Sequence, residues 1–434
     1  MQLLKGKGKT RQAGWVAIGL GIVALGSSLP AQADIVADWA DTGARTVTGA
    51  AVGVPPLSTP EDRSPNYSVD LATLHIAIYD TVVAFEGGYD PFAAVPASLP
   101  AGASFSAAVH EAAYQVLSTL FPARSAHYLT DYTNRMAAAV VADGASAVNS
   151  GRAVGADVAA QVIALRSNDG RENLVDISWA SNPNPPAGQF VPSGPALAGR
   201  GNPNTRPFVM TNAAQFRPAG PPALTSEQYA EDYNEIQQDG IDAARSTRTQ
   251  AEDDLAQFGT SPPPLFWTRN LNRFANLPET VDNARLMAAI WVAHSDASIA
   301  CFEAKYYYKF WRPRTAIPNG GVDGNDATDV DGSWLPNNTT PNHPEYPAAH
   351  SCASASSFEV IRQLNGNKKK LSFFMDFAPN VLVRPYDSTD DFLKDIKDAR
   401  VLGGMHFRTS TDDGTTLGRQ VAKYVLKHHF RPVD

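Results

Sequence analysis

Apolar residues recur at three-to-four spacing through much of the N-terminal half. Leu71, Leu74, Ile78, Val82 and Phe85 mark one amphipathic helix, and similar stretches follow at about 104–121, 124–143 and 147–167. From Trp179 to Pro222 the pattern breaks, because ten prolines among many Gly and Asn residues forbid regular helix. A loop of that length is expected to be functional or to wrap a neighbouring surface. Helical spacing resumes at Glu227–Ile241. The strongest helix is predicted from about Pro278 to Trp311: it opens on Pro278-Glu279, and Arg312-Pro313 stops it. Ser351–Leu364 and Gly414–Lys427 read as further helices. With no repeat and no strand-dense region, the expected class is mainly α.

The first residues follow a different pattern. Lys5, Lys7, Lys9 and Arg11 precede a short apolar run from Trp15 to Leu29, and Ala31-Gln32-Ala33 has the small-x-small form of a cleavage site. This predicts a signal peptide over residues 1–33 and export to a periplasm or the outside, with a mature chain starting near Asp34. The run is shorter than the roughly 20 residues a bilayer span needs, so no membrane anchor is expected after cleavage. Two regions are expected beyond it, an N-terminal helical region over 34–274 that carries the 179–222 loop and a catalytic bundle over 275–434.

Charge narrows the partners. The chain has 36 basic and 44 acidic side chains, a net of −8, and losing the four leader cations with no acid takes the balance to −12. Such a surface disfavours nucleic acid and anionic lipid, so a site for a small anion has to be built locally. Asp323, Asp326, Asp329 and Asp331 do not match calcium-loop spacing and read as a solvated acidic loop. His75, His110 and His127 have no partner at metal-like spacing and read as structural. Cys301 and Cys352 flank the chemistry described next, where either a disulfide or two buried thiols fits an exported chain.

Three stretches carry that chemistry. Lys305 and Arg312 are seven residues apart, which predicts one helix face gripping one oxyanion, Lys as a point charge and Arg as a planar fork. In Pro347-Ala-Ala-His350 the histidine stands at a helix start, where free N–H groups and the helix dipole favour an anion. It is suited to proton transfer near neutral pH. In Arg400-Val-Leu-Gly-Gly-Met-His406 the glycine pair lets the backbone turn, so that both side chains meet one point.

Taken in order, K-x6-R-P, P-x-x-H and R-x5-H resemble the superfamily that joins vanadium-dependent haloperoxidases with type 2 phosphatidic acid phosphatases and bacterial acid phosphatases. The resemblance spans about residues 275–434. It implies a helical bundle of that type, in which Lys305, Arg312, Arg400 and the Ala349 N–H bind vanadate or phosphate. It makes His350 the acid/base group, and His406 the ligand to vanadium or the nucleophile toward phosphorus. His343, seven residues before His350, resembles the bromoperoxidase pattern and is a halide-site candidate. Asp296 is a candidate charge partner for a site arginine.

The sequence departs from the family at three positions. Ala348 stands where a serine hydroxyl donates to the anion, Ala349 replaces glycine, and Ser410 stands where an aspartate orients the last histidine, leaving Asp412 or Asp413 as substitutes. The leading expectation is an exported, vanadate-dependent haloperoxidase-like enzyme, possible oligomers included, acting on hydrogen peroxide and a halide, bromide favoured. An acid phosphatase that cleaves small phosphate esters through phosphohistidine is the second reading, and a non-catalytic vanadate or phosphate binder the third.

Overall fold

The structure, a computed structural model, describes residues 34–48, 67–258, 263–367, 370–377 and 382–433. The expected signal segment, residues 1–33, lies outside them. The spacing at 71–85 becomes α2 (Tyr67–Glu86), preceded by α1 (Ile35–Thr48). The three following stretches become α3 (Phe105–Leu120), α4 (Leu129–Asp143) and α5 (Ala145–Arg166). Pro122 opens a separate 3-10 turn, Pro122–His127, so the helix expected over 124–143 starts later. Next come α6 (Glu227–Asp239), α7 (Gln250–Phe258), α8 (Pro263–Leu271) and α9 (Thr280–Tyr308). A short α10 (Pro313–Ala316) leads through an irregular segment to α11 (Ala349–Leu364), α12 (Thr389–Leu402) and α13 (Arg408–His428). Between α11 and α12 lies an antiparallel hairpin absent from the sequence reading, β1 (Phe373–Phe377) with β2 (Leu382–Tyr386), Phe373 opposite Tyr386. The class is mainly α, as the periodicity predicts.

α2 and α9 are apolar on nearly every face, and both are core helices. Leu71, Leu74, Ile78 and Val82 are fully covered, each burial stabilising by about 1.5–3 kcal/mol. α2 is long and apolar enough to cross a membrane by length and composition, yet its side chains pack inside the protein against α9 and α3. Residues 34–434 form one compact unit.

α11 and α13 approach most closely where glycine leaves room. A Cβ on Gly418 would stand 2.2 Å from the Cys352 carbonyl oxygen, and one on Gly414 2.7 Å from that of Ala348. The start of α11, with His350, is therefore pinned to α13.

α9 ends at Tyr308, three residues short of the sequence expectation. Lys309 adopts a left-handed conformation (φ 53°), and the chain then pairs with the Pro-rich loop: Phe190 N–H donates to Lys309 O (2.7 Å) and Trp311 N–H to Gly188 O (2.8 Å). Arg312 thus leaves the helix and stands at the start of α10, so Lys305 and Arg312 do not share one helix face. The loop does wrap a neighbour, as its length suggests. Tyr306 Oη donates to Ala198 O, and Tyr308 Oη to Pro218 O.

The same loop corrects the role expected of Asp296. Its fully buried carboxylate accepts the backbone N–H groups of Phe208 (2.7 Å), Val209 (2.9 Å) and Met210 (3.0 Å), and the arginine whose charge reaches it is Arg166. It anchors the loop instead of pairing with a site arginine. Burial raises its pKa, and the three donated hydrogen bonds oppose that rise.

Candidate active site

The three stretches meet behind a cavity of about 470 Å³ lined by His343, His350, Arg400, Met405 and His406 among others. Each cation arrives on a different support. Lys305, in the last turn of α9, is fully buried and donates to the carbonyls of Pro344 (2.9 Å) and Glu345 (2.8 Å). Arg312 donates through Nε to His343 O (3.1 Å) and through Nη1 to Met405 O (2.7 Å). Its guanidinium also touches His406 Nε2 (3.0 Å) and His343 Nδ1 (3.1 Å). Arg400 lies in the last turn of α12, against Met405 Sδ (2.7 Å).

The turn that carries His406 needs its glycine. Gly404 has φ +70°, and a Cβ there would stand 2.4 Å from Gly240 O. The backbone reverses at that point and sets His406 opposite Arg312.

His406 has a partner that the sequence reading overlooked. Its Nδ1 lies 2.9 Å from Glu345 Oε1, which also accepts the Phe407 N–H (3.1 Å); Glu345 Oε2 accepts from Ser410 Oγ (2.6 Å). Glu345 and His406 are both fully buried. An Nδ1–H donated to a carboxylate fixes the tautomer and makes Nε2 the acceptor, and in this structure Nε2 accepts from Arg312 Nη1 (3.0 Å). The aspartate expected four residues after His406 is thus supplied in another form, by a glutamate 61 residues earlier in the chain with Ser410 as its hydrogen-bond donor. Asp412 and Asp413 do not substitute: Asp412 pairs with Lys397 (2.8 Å), and Asp413 accepts from Tyr346 Oη. The only signal in the sequence was an acid between prolines, in His343-Pro-Glu-Tyr-Pro347.

Electrostatics follow from burial. Desolvation pulls Lys305 down to about 8, Arg400 to about 9 and Arg312 to about 10, and pushes Glu345 up to about 7 against the pull of Arg312. Burial, together with the surrounding cations, holds His343, His350 and His406 well below the usual imidazole range. Lys305 and Arg312 therefore bear on the Glu345 carboxylate, and Arg400 is close enough for Arg312 to repel it. An anion in their midst would offset the desolvation that strains them.

His350 starts α11 with Ala349. The helix N-cap is Ala348, which offers no side-chain hydrogen bond. His350 Nε2 is buried without a hydrogen-bond partner among the described residues. Cys301 and Cys352 are buried free thiols, and Cys301 Sγ lies 3.6 Å from Pro347 O. No group of three or more metal-ligating side chains occurs among the described residues. The donors present suit a tetrahedral oxyanion held by one imidazole, and vanadate fits them: a His406 Nε2 whose present partner is the Arg312 guanidinium, itself an oxyanion donor, buried cations around it and the orphaned His350 Nε2.

Residues 285–434 match a family model described as the VCPO second helical-bundle domain. Among solved structures, the chain is similar to a bacterial vanadium-dependent iodoperoxidase, with a TM-score of 0.73 and 20% identity over 92% of this chain and 97% of that one. It is also similar to a bacterial vanadium-dependent chloroperoxidase in its apo form (TM-score 0.65, 15% identity, 88% and 97% covered) and its holo form (0.65, 16%, 86% and 93%). No curated protein sequence matches it.

Proposed function

We propose that the chain is a member of the vanadium haloperoxidase superfamily, an exported, vanadate-dependent haloperoxidase-like enzyme that oxidises a halide, bromide favoured, with hydrogen peroxide; the family-model match over residues 285–434 and the shared fold support this reading. The observation that carries this reading is the cluster of three buried cations and three imidazoles beside a cavity.

His406 Nε2, with Nδ1 held by Glu345, would bond vanadate in place of its present contact with Arg312 Nη1, the guanidinium turning to the anion's oxygens. Arg312, Arg400 and Lys305 balance the oxyanion charge, and the N–H groups that open α11 at Ala349 add hydrogen bonds. Bound vanadate supplies Lewis acidity toward peroxide without changing oxidation state. His350, neutral at working pH, takes the proton of incoming hydrogen peroxide on Nε2. His343, packed on Phe302 with ring centroids 5.2 Å apart, borders the cavity where the halide approaches.

The same cradle suits phosphate, so the deciding experiment runs two assays on purified protein: peroxide-dependent bromination after vanadate addition, and hydrolysis of a phosphate monoester without it. Bromination is expected. Ester hydrolysis inhibited by vanadate, with no bromination, overturns the proposal in favour of the phosphatase, and tight vanadate binding with neither activity leaves a binding protein. His406→Ala is expected to abolish bromination and vanadate binding together, the latter read by titration.

A further inference from the structure

Two nucleophilic side chains have no part in the chemistry proposed above. Cys301 lies on α9 one helical turn before Lys305, and Cys352 lies on α11 two residues after His350. Both are fully buried free thiols, and they stand side by side, near enough for the Cys352 S–H to donate to Cys301 Sγ. Cys301 in turn donates to Pro347 O (3.6 Å), in the turn that leads to His350. The pair thus joins the helix of one site cation to the helix of the acid/base histidine.

Their setting differs from that of inert core thiols. Burial in apolar surroundings raises a thiol's pKa and silences it. Burial acts that way on both, and together with the bond to Cys301 it holds Cys352 well above the usual thiol value. At Cys301 the hydrogen bond from Cys352 and the charges of Lys305 and Arg312 outweigh burial, and the pKa falls. Those two cations belong to the anion site, so Cys301 stands beside it. The cavity lining includes the next residue on each helix, Phe302 on α9 and Ala353 on α11. Whatever small oxidant the cavity admits, it admits next to this pair.

We propose that Cys301 and Cys352 are a modification site, a dithiol that hydrogen peroxide oxidises to a disulfide stapling α9 to α11. The Cys301 thiolate attacks one peroxide oxygen, the O–O bond breaks, and Cys301 becomes a sulfenic acid as hydroxide leaves. The Cys352 sulfur then gives up its proton and attacks the Cys301 sulfur. The S–S bond forms, the S–O bond breaks, and that oxygen also leaves as hydroxide. The two hydroxides take up the two thiol protons, so two thiols are oxidised and one peroxide is reduced to two waters. Oxidation also removes the S–H that Pro347 O accepts, three residues before His350. The step needs peroxide but neither vanadate nor halide, so it stands apart from the haloperoxidase reading.

Hydrogen peroxide is the probe, added to purified protein that has been prepared in reductant and then freed of it. The folded protein is expected to lose both alkylatable thiols, counted by intact mass after unfolding in iodoacetamide. Trypsin is then expected to release peptide 286–305 linked to peptide 315–362. The melting temperature is expected to rise by several degrees and to fall back on reduction, because a cross-link restricts the unfolded chain. Cys352→Ala is expected to stop at a Cys301 sulfenic acid, trapped by dimedone, whereas Cys352 in Cys301→Ala is expected to oxidise at least about tenfold more slowly. Two alkylatable thiols that persist in the folded protein, while the unfolded chain oxidises under the same peroxide, overturn the inference. A disulfide found only between two chains, as a doubled mass, overturns it as well. Equal oxidation rates in the two single variants overturn the assignment of Cys301 as the attacking thiol. None of these readouts depends on bromination, so the failure of either proposal is distinguishable from that of the other.

Discussion

At the scale of single residues, the buried carboxylate beside His406 changes what the sequence departures mean. Ser410 looked like a loss, but its hydroxyl supports Glu345, which takes over the orienting role. Glu345→Gln keeps the shape and removes the charge that fixes the His406 tautomer. Because a hydrogen bond to a charged group is worth about 1.5–3 kcal/mol, vanadate affinity is expected to fall about ten- to hundredfold, measured by titration. Ala348 remains an uncompensated departure, since the N-cap of α11 has no side-chain bond. Ala348→Ser is expected to tighten vanadate binding by a similar ten- to hundredfold in the same titration. The cations and histidines of the site were legible because charged residues in a set order stand out in any sequence. Glu345 was not, because an acid becomes informative only once its neighbours in space are known.

At the scale of elements, close contact fixes the geometry that motifs cannot state. The spacing between Lys305 and Arg312 suggested one helix face, whereas the two converge because the chain leaves α9 at Lys309 to pair with the Pro-rich loop. That loop's irregularity was readable from its prolines; its landing place, held by Asp296, was not. The seam between α11 and α13 is equally exacting. Gly418→Ala would force a methyl to 2.2 Å from a backbone oxygen that cannot yield. A loss of about 1–3 kcal/mol is expected in denaturant unfolding, with weaker vanadate binding as the start of α11 shifts.

At the scale of the whole molecule, the buried imidazoles set the response to acid. His75 and His294 are fully enclosed, and desolvation lowers both to about 3. His75 has no hydrogen-bond partner among the described residues. The unfolded chain binds protons at these positions near pH 6.5 and the folded one only near pH 3, so stability falls as pH drops through that window. The slope approaches about 1.4 kcal/mol per pH unit for each histidine. Melting temperature is expected to decline steadily below about pH 6, and His75→Phe to flatten that decline. An equal slope in the variant would show that His75 does not titrate on unfolding.

The sequence by itself determined the helical class, the presence of helices around 71–85 and after Pro278, the irregular 179–222 segment and the cast of cations and imidazoles, because periodicity, proline content and charge are local properties of a chain. Tertiary structure alone decided that α9 ends at Tyr308, that Asp296 serves a loop and Glu345 the site, and that Tyr67 and Ala198 close one cavity with residues hundreds of positions away. Those outcomes depend on which buried polar groups find partners once the helices pack, and no local pattern encodes the partner.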